Sequence, residues 1–207
     1  AVDGFETASM HPYGPAAVVF GFPGGITVNK GDILYCQSWM ILILAMGSSP
    51  VIPRLSFQDS SRVVWVGDVD NGRIEVGNNV LVAGAGLTGL EAALRFIQSG
   101  RKVILIDALP REELGSGSSP INAYALFNLL EESNVDIRIR TKLVDVTQDY
   151  ALLVQDGKEE KLAFDTVVLS LGTQVDSEGI NRLKTAVAEC YVVGNSNGRS
   201  GTVWNAT

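Results

Sequence analysis

The sequence has little of what most catalytic chemistries draw on. Its single histidine, His11, sits among prolines and glycines, whereas a Ser-His-Asp triad needs its base rigidly held. The only two cysteines, Cys36 and Cys190, lie far apart and form no CxxC. Neither a redox dithiol nor a thiolate-held zinc or iron–sulfur site can be built from them alone, and both read as reduced, buried thiols. No metal site is expected, because such sites draw on several His or Cys ligands. Positive charge is scarce as well: 16 Lys and Arg stand against 23 Asp and Glu, for a net charge of −7. No basic cluster occurs, which excludes a nucleic-acid partner from the expectations. The longest uncharged apolar run, Trp39 to Met46, falls short of the ~20 residues that cross a bilayer. The stretch Ala1 to Gly4 lacks the basic start and apolar core of a signal peptide. A soluble cytoplasmic protein without a membrane partner is the expectation.

What the sequence does have is apolar strand-like runs and glycine. With 207 residues, 46% hydrophobic and 22 glycines, the chain suits one large domain or two small ones with many tight turns. Residues 1 to about 38 read least clearly: Val18 to Phe20 fits a strand, but Pro and Gly break every longer pattern. Met40 to Ala45 is a continuous apolar run ending at Gly47-Ser48-Ser49-Pro50, which predicts a strand buried on both faces. Residues 50 to 79 read as a linker with short extended pieces such as Val63 to Val66. Val135 to Arg138, Leu143 to Val146, Ala151 to Val154 and Lys161 to Phe164 are short strand-like runs separated by polar turns, which predicts a small antiparallel meander. Thr166 to Leu169 and Tyr191 to Val193 read as further buried strands.

The informative segment begins at Val80. Val80 to Ala83 predicts a buried strand, and Gly84-Ala85-Gly86-Leu87-Thr88-Gly89 follows at once. Leu90, Ala93, Leu94 and Ile97 then recur at helical spacing, and Gly100 supplies a stop. Val103 to Ile106 is the next strand, ending on Asp107. A GxGxxG between a strand and a helix, with an acidic residue about 20 positions on, is the dinucleotide-binding fingerprint. The three glycines serve different ends. Gly84 permits the tight turn, Gly86 lets the backbone approach a pyrophosphate, and Gly89 allows close helix–strand packing. The N–H groups near Leu87 and Thr88 face the anion at the positive end of the helix. Asp107 is placed to accept hydrogen bonds from the adenosine ribose and would repel a 2′-phosphate, so NAD(H) is expected over NADP(H). Arg101, Lys102 and Arg111 lie close in sequence and keep NADP(H) open. After the Gly115 to Ser119 loop, Ser119 suits an N-cap and Pro120 a first helical residue. Tyr124, Phe127 and Leu130, flanked by Leu126 and Leu129, predict the buried stripe of that helix.

The segment Val80 to Asp107, the return strand Thr166 to Gly172, and Tyr191-Val192-Val193-Gly194-Asn195 resemble the pyridine nucleotide–disulfide oxidoreductase superfamily. Leu42 to Pro50 and Ile121 to Leu130 are most similar to the FAD/NAD-binding part of the NADH:flavin oxidoreductases, of the 2,4-dienoyl-CoA reductase and enoate reductase type. The resemblance covers about residues 31 to 207. It implies an NAD domain inserted into an FAD domain, with hydride passing from NADH to the flavin. It places Gly84, Gly86, Gly89 and Glu91 in the NAD site, Gly172 near the nicotinamide, and Ala45, Gly47, Gly194 and Asn195 by the FAD.

The chain departs from that pattern at several points. No GxGxxG follows a buried strand before residue 40, Asn195 stands where the family has an aspartate, Met46 where it has a threonine, and Val175 where it often has a proline. FAD is therefore expected to be held poorly or not at all. The expected fold is α/β: a Rossmann-like parallel sheet with helices on its faces, an antiparallel meander, and an incomplete flavin domain. The expected divisions are residues 1–76 and 173–207 for the partial FAD domain with its linker, and 77–172 for the NAD(H) domain. Three functions stay open: an NADH-dependent flavin oxidoreductase component; a non-catalytic NAD-binding fragment or structural module that needs a partner domain or chain bearing the flavin; and an NAD(H)-binding redox sensor, for which no DNA-binding element is visible.

Overall fold

The computed structural model describes residues 5–8, 16–20, 41–57, 61–115, 120–133, 135–185 and 189–197. His11, Cys36, Ser119 and most of residues 1–38 lie outside them, together with the expectations that fall there. The chain divides into two compact units, one of residues 1–49 and 173–207, the other of residues 50–172.

The first unit begins with strands β1 (Phe5–Ala8), β2 (Ala16–Phe20) and β3 (Ile41–Ala45), and β4 (Ser49–Pro50) follows as the chain leaves it. β1, β2 and β3 run antiparallel in that order. β3 carries the expected apolar run, but it is not buried on both faces: Leu42 and Leu44 are buried, Ile43 is half-buried and Ala45 is exposed. The side chains alternate between faces because the strand period is two.

The second unit is built on a parallel sheet of β5 (Val63–Trp65), β6 (Asn79–Ala83), β7 (Lys102–Ile106), β8 (Asp136–Arg138) and β12 (Thr166–Leu169). Its spatial order is β5-β12-β6-β7-β8, and every neighbouring pair is parallel. Short α1 (Val66–Asp70) follows β5, α2 (Leu87–Gln98) joins β6 to β7, and α3 (Pro120–Glu132) joins β7 to β8. The return from β8 to β12 is the antiparallel meander β9 (Thr141–Val146), β10 (Ala151–Gln155) and β11 (Lys158–Leu162).

Alternation decides the layers. Val80 and Val82 of β6 pack against Leu90, Ala93 and Phe96 of α2 and Leu130 of α3. Leu81 and Ala83 face the other way, onto Val146, Ala151, Leu153 and Phe164 from the meander and its exit. The helices thus take one face of the sheet and the meander the other.

Several local expectations are corrected here. Residues 136–138 are not part of the meander; they close the edge of the parallel sheet beside β7. The last meander strand is Lys158–Leu162 rather than 161–164, because Asp156 (φ 50°) and Gly157 (φ 78°) make a two-residue turn that returns Lys158 opposite Gln155. Along α2 the buried set includes Ala92 and Phe96 as well as Leu90 and Ala93. The helix ends with Gly100 (φ 82°) donating to Ile97 O and Arg101 N–H to Phe96 O, a Schellman motif. On α3, Phe127 and Leu130 are buried, but Tyr124 is 69% exposed. Residues 50–79 hold β5 and α1: Leu55, Phe57 and Val63 pack on the meander side, whereas Val64, Val66 and Val76 pack on the helix side. Arg62 donates to the carbonyls of Phe164 and Gln148 and lies 4.8 Å from the Phe164 ring centroid.

The chain re-enters the first unit through β13 (Thr173–Gln174), α4 (Ser177–Lys184) and β14 (Glu189–Val192). α4 is a helix that apolar spacing does not announce, yet its ends carry local signals. Asp176 caps it by accepting from Gly179 N–H at 2.9 Å, and Arg182 and Lys184 sit in its last turn. Its Ile180 packs on Leu42 and Leu44, while β14 pairs parallel with β3.

Candidate functional site

β6 is the strand at which the strand order reverses: β7 and β8 extend to one side of it, β12 and β5 to the other. Ligands of open parallel sheets lie at the carboxyl ends of the strands, where the order reverses. The turn Gly84 to Gly89 stands at that place.

The three glycines are in three different situations. Gly84 has φ 106°, and a Cβ there would meet the carbonyl oxygen of Ser170 at 2.2 Å. A Cβ on Gly89 would meet the carbonyl oxygen of Gly84 at 1.9 Å. Both are demanded by the fold, one by the turn and the other by the packing of α2 on β6. Gly86 is demanded by neither. Its φ of −68° suits any residue, and a Cβ there would find nothing within 4 Å. It is the N-cap of α2 and provides no side-chain hydrogen bond, so the first-turn N–H groups have no cap from that position. Leu87 is half-buried, and Thr88 and Glu91 are exposed on the same end of the helix.

Asp107 follows the last residue of β7 and is half-buried. Its Oδ2 accepts from Ala85 N–H at 2.7 Å and its Oδ1 from Leu109 N–H at 2.8 Å. Its own N–H donates to Arg138 O, and its carbonyl accepts from Thr141 N–H at 2.7 Å. A cleft of about 200 Å³ opens beside it, with Gly84, Asp107 and Lys142 among its lining residues and Pro53 and Leu171 on its apolar side. Thr141 and Lys142 come from the meander. Sequence reasoning misses them because no short-range pattern ties residue 141 to residue 107; only the backbone hydrogen bond between them does. Gly172 (φ 83°) lies beyond the end of β12, where its carbonyl accepts from Val51 N–H.

The cationic residues near the fingerprint are engaged or placed elsewhere. Arg101 donates to Val76 O and to Ser99 Oγ. Lys102 opens β7, at the opposite end of the strand from Asp107. Arg111 pairs with Glu131 and lies over the Phe127 ring.

The four residues that the resemblance places by the flavin gather separately, in the first unit. Ala45 ends β3 and Gly47 (φ 69°) follows it; Gly194 (φ 64°) and exposed Asn195 follow β14. Val193 N–H donates to Leu44 O, and buried Ser196 donates from Oγ to Gly47 O at 3.4 Å. Cys190, on β14, is a half-buried free thiol whose pKa burial pushes up, which suits an inert side chain rather than a nucleophile. Among the described residues, no helix is long and apolar enough to cross a membrane.

Comparison with known proteins places this geometry in a family. Residues 36–204 match the family described as pyridine nucleotide-disulphide oxidoreductase. The chain is 22% identical over 182 residues to the metal reductase of Desulforamulus reducens, covering 75% of this chain and 27% of that protein. It is 25% identical over 178 residues to the NADH oxidase of Thermoanaerobacter brockii, covering 83% of this chain and 27% of that protein. Among solved structures, a 2-naphthoyl-CoA reductase in complex with 2-naphthoyl-CoA has the same fold, with a TM-score of 0.67 at 19% identity over 80% of this chain and 25% of that one. The chain thus spans about a quarter of the length of these relatives. It belongs to the pyridine nucleotide-disulphide oxidoreductase family, whose members are FAD- and NAD(H)-dependent redox proteins.

Proposed function

We propose that this chain is the nucleotide-binding part of an NADH-dependent flavin oxidoreductase: it binds NAD(H) over the Gly84–Gly89 turn and would pass hydride to FAD. The observation that carries the reading is Gly86. Neither backbone strain nor packing requires a glycine there, since its φ is ordinary and its Cβ would meet nothing; close approach of a pyrophosphate does. The N–H groups of Leu87 and Thr88 would meet that anion. Asp107 would accept from the adenosine ribose hydroxyls and disfavour a 2′-phosphate, and the engagement of Arg101 and Arg111 elsewhere, with Lys102 at the far end of β7, supports NAD(H) over NADP(H). Gly172 would lie by the nicotinamide, and Glu91 would sit on the helix beside the loop. Similarity to an NADH oxidase supports the same cofactor.

Ala45, Gly47, Gly194 and Asn195 would hold FAD, which supplies the hydride-accepting ring when bound. On this reading residues 77–172 are the NAD(H) domain, residues 1–76 are an FAD-domain segment and a linker whose β5 and α1 join the NAD(H) unit, residues 173–207 return to the FAD domain, and the protein acts in the cytoplasm. Asn195 favours a second reading. It sets an amide where the family's aspartate would hold the flavin, so the chain would act as an NAD-binding module whose flavin sits on a partner domain or chain.

Purified protein separates these. A yellow protein whose visible flavin absorbance bleaches on adding NADH is expected of the first reading. Colourless protein that binds NADH but does not reduce dye acceptors supports the second. Protein that binds no NADH, as titrated by calorimetry, overturns both.

A further inference from the structure

Asp107 does more in this fold than face a ligand. Its carboxylate bridges two backbone N–H groups, one from Ala85 in the middle of the glycine turn and one from Leu109 in the loop that follows β7, at 2.7 and 2.8 Å. Its backbone is tied on both sides as well, to Arg138 O and to Thr141 N–H. Ala85 is in turn held on both sides, since its carbonyl accepts from Gly115 N–H at 3.0 Å. The residue after the last strand position therefore sets the pitch of the turn between Gly84 and Gly86.

We propose that Asp107 is the positioning residue of the glycine turn, holding Ala85 so that the turn is formed before nucleotide arrives. The proposal rests on the NAD(H) reading for what the turn binds, but the anchoring itself is made wholly by this chain's own groups. It has a chemical requirement that ribose recognition alone does not. Both oxygens face N–H donors, so both must be acceptors, and a carboxylate is the side chain that offers two. Asparagine keeps one acceptor and turns its amide N–H₂ toward the other donor. A preformed turn spares the binding step the cost of ordering it.

The test uses D107N and a pair of ligands: NADH, and the NADH analogue lacking both adenosine ribose hydroxyls. Amide hydrogen exchange is followed by NMR in the ligand-free protein. Positioning predicts that exchange at Ala85 accelerates at least tenfold, while amides of β6 and β12 keep their protection. It also predicts that D107N weakens the dideoxy analogue by about tenfold, the scale of one lost charge-assisted hydrogen bond, and NADH by at least as much, because the ribose contact is lost as well. A loss seen with NADH and absent with the analogue, alongside unchanged exchange at Ala85, overturns the proposal and leaves Asp107 a ribose ligand only. If the wild-type chain binds neither ligand, the NAD(H) reading fails, while exchange at Ala85 still decides the anchoring. Where D107N does not fold, D107E carries the same measurements, because one added methylene keeps the charge but displaces the oxygens from Ala85 N–H.

Discussion

Gly89 and Gly84 touch backbone to backbone: a Cβ on Gly89 would stand 1.9 Å from the Gly84 carbonyl oxygen. No flexible side chain is available there to move aside, so either α2 must lift from β6 or the turn must open. Gly89→Ala is expected to destabilise the protein by about 3 kcal/mol or more, the range of strong overpacking. Urea unfolding of the variant checks this. A midpoint equal to that of the wild type would mean that α2 is free to shift at no cost.

Gly86 gives the opposite expectation three residues earlier. Its Cβ would point into open space at an ordinary φ, so Gly86→Ala should change stability by no more than about 1 kcal/mol, the gain from restricting the unfolded chain set against the poorer N-cap that alanine makes. Affinity for NADH should fall at least tenfold, because the methyl takes the place of the approaching pyrophosphate. The pair separates folding from binding within a single motif. Unchanged NADH affinity in Gly86→Ala would remove this residue from the site.

That contrast also marks what can be read without coordinates. The strand before the turn, the helix after it and the acid at the next strand end are all legible, because periodicity and glycine spacing are local signals. The layer arrangement is less so. Asp136 to Arg138 looks like its neighbours in the meander, since a three-residue strand carries too little pattern to reveal which sheet it joins; its parallel pairing with β7 is a long-range fact. Motif spacing points the carboxylate of Asp107 outward to a ribose, whereas its inward bonds to Ala85 and Leu109 depend on loop geometry that composition does not encode. Thr141 and Lys142 are invisible for the same reason.

Tyr124 shows how a correct helix can be given the wrong face. Read by spacing, it stands with Phe127 and Leu130; in the fold it is 69% exposed while Phe127 is 7% exposed. Arg111 covers the Phe127 ring at 4.4 Å from its centroid, so this aromatic is sealed from the loop side too. Phe127→Ala is expected to cost about 3–5 kcal/mol through the cavity it leaves, and Tyr124→Ala to change stability by no more than about 0.5 kcal/mol. Thermal and denaturant melts of the two variants distinguish them. Equal losses would place Tyr124 in the core after all.

Acid should loosen the second unit through Asp165, the residue before β12. Its Oδ2 accepts from the N–H groups of Asn78 and Asn79 at 3.0 and 2.8 Å, and from the Asn79 side-chain amide at 3.0 Å. The Asn79 backbone N–H does most to hold this carboxyl below the ordinary carboxylate value; desolvation opposes it, and the Asn79 amide, Asn78 N–H and the Arg62 charge add to it. A folded pKa below the unfolded one contributes stability that is fully present above the unfolded value and is lost as pH falls through the folded value. Asp145, lowered chiefly by the Ser56 hydroxyl, acts in the same direction. Wild-type stability should therefore fall as pH drops through and below the ordinary carboxylate range, and Asp165→Asn should fall less steeply there while being less stable at neutral pH. Its asparagine can satisfy only some of the donors at any pH, so the gap between the two proteins should narrow in acid. Denaturant unfolding at a series of pH values measures the gap directly; two curves that stay parallel down to the acid limit would show that Asp165 ionises alike in the folded and unfolded chain.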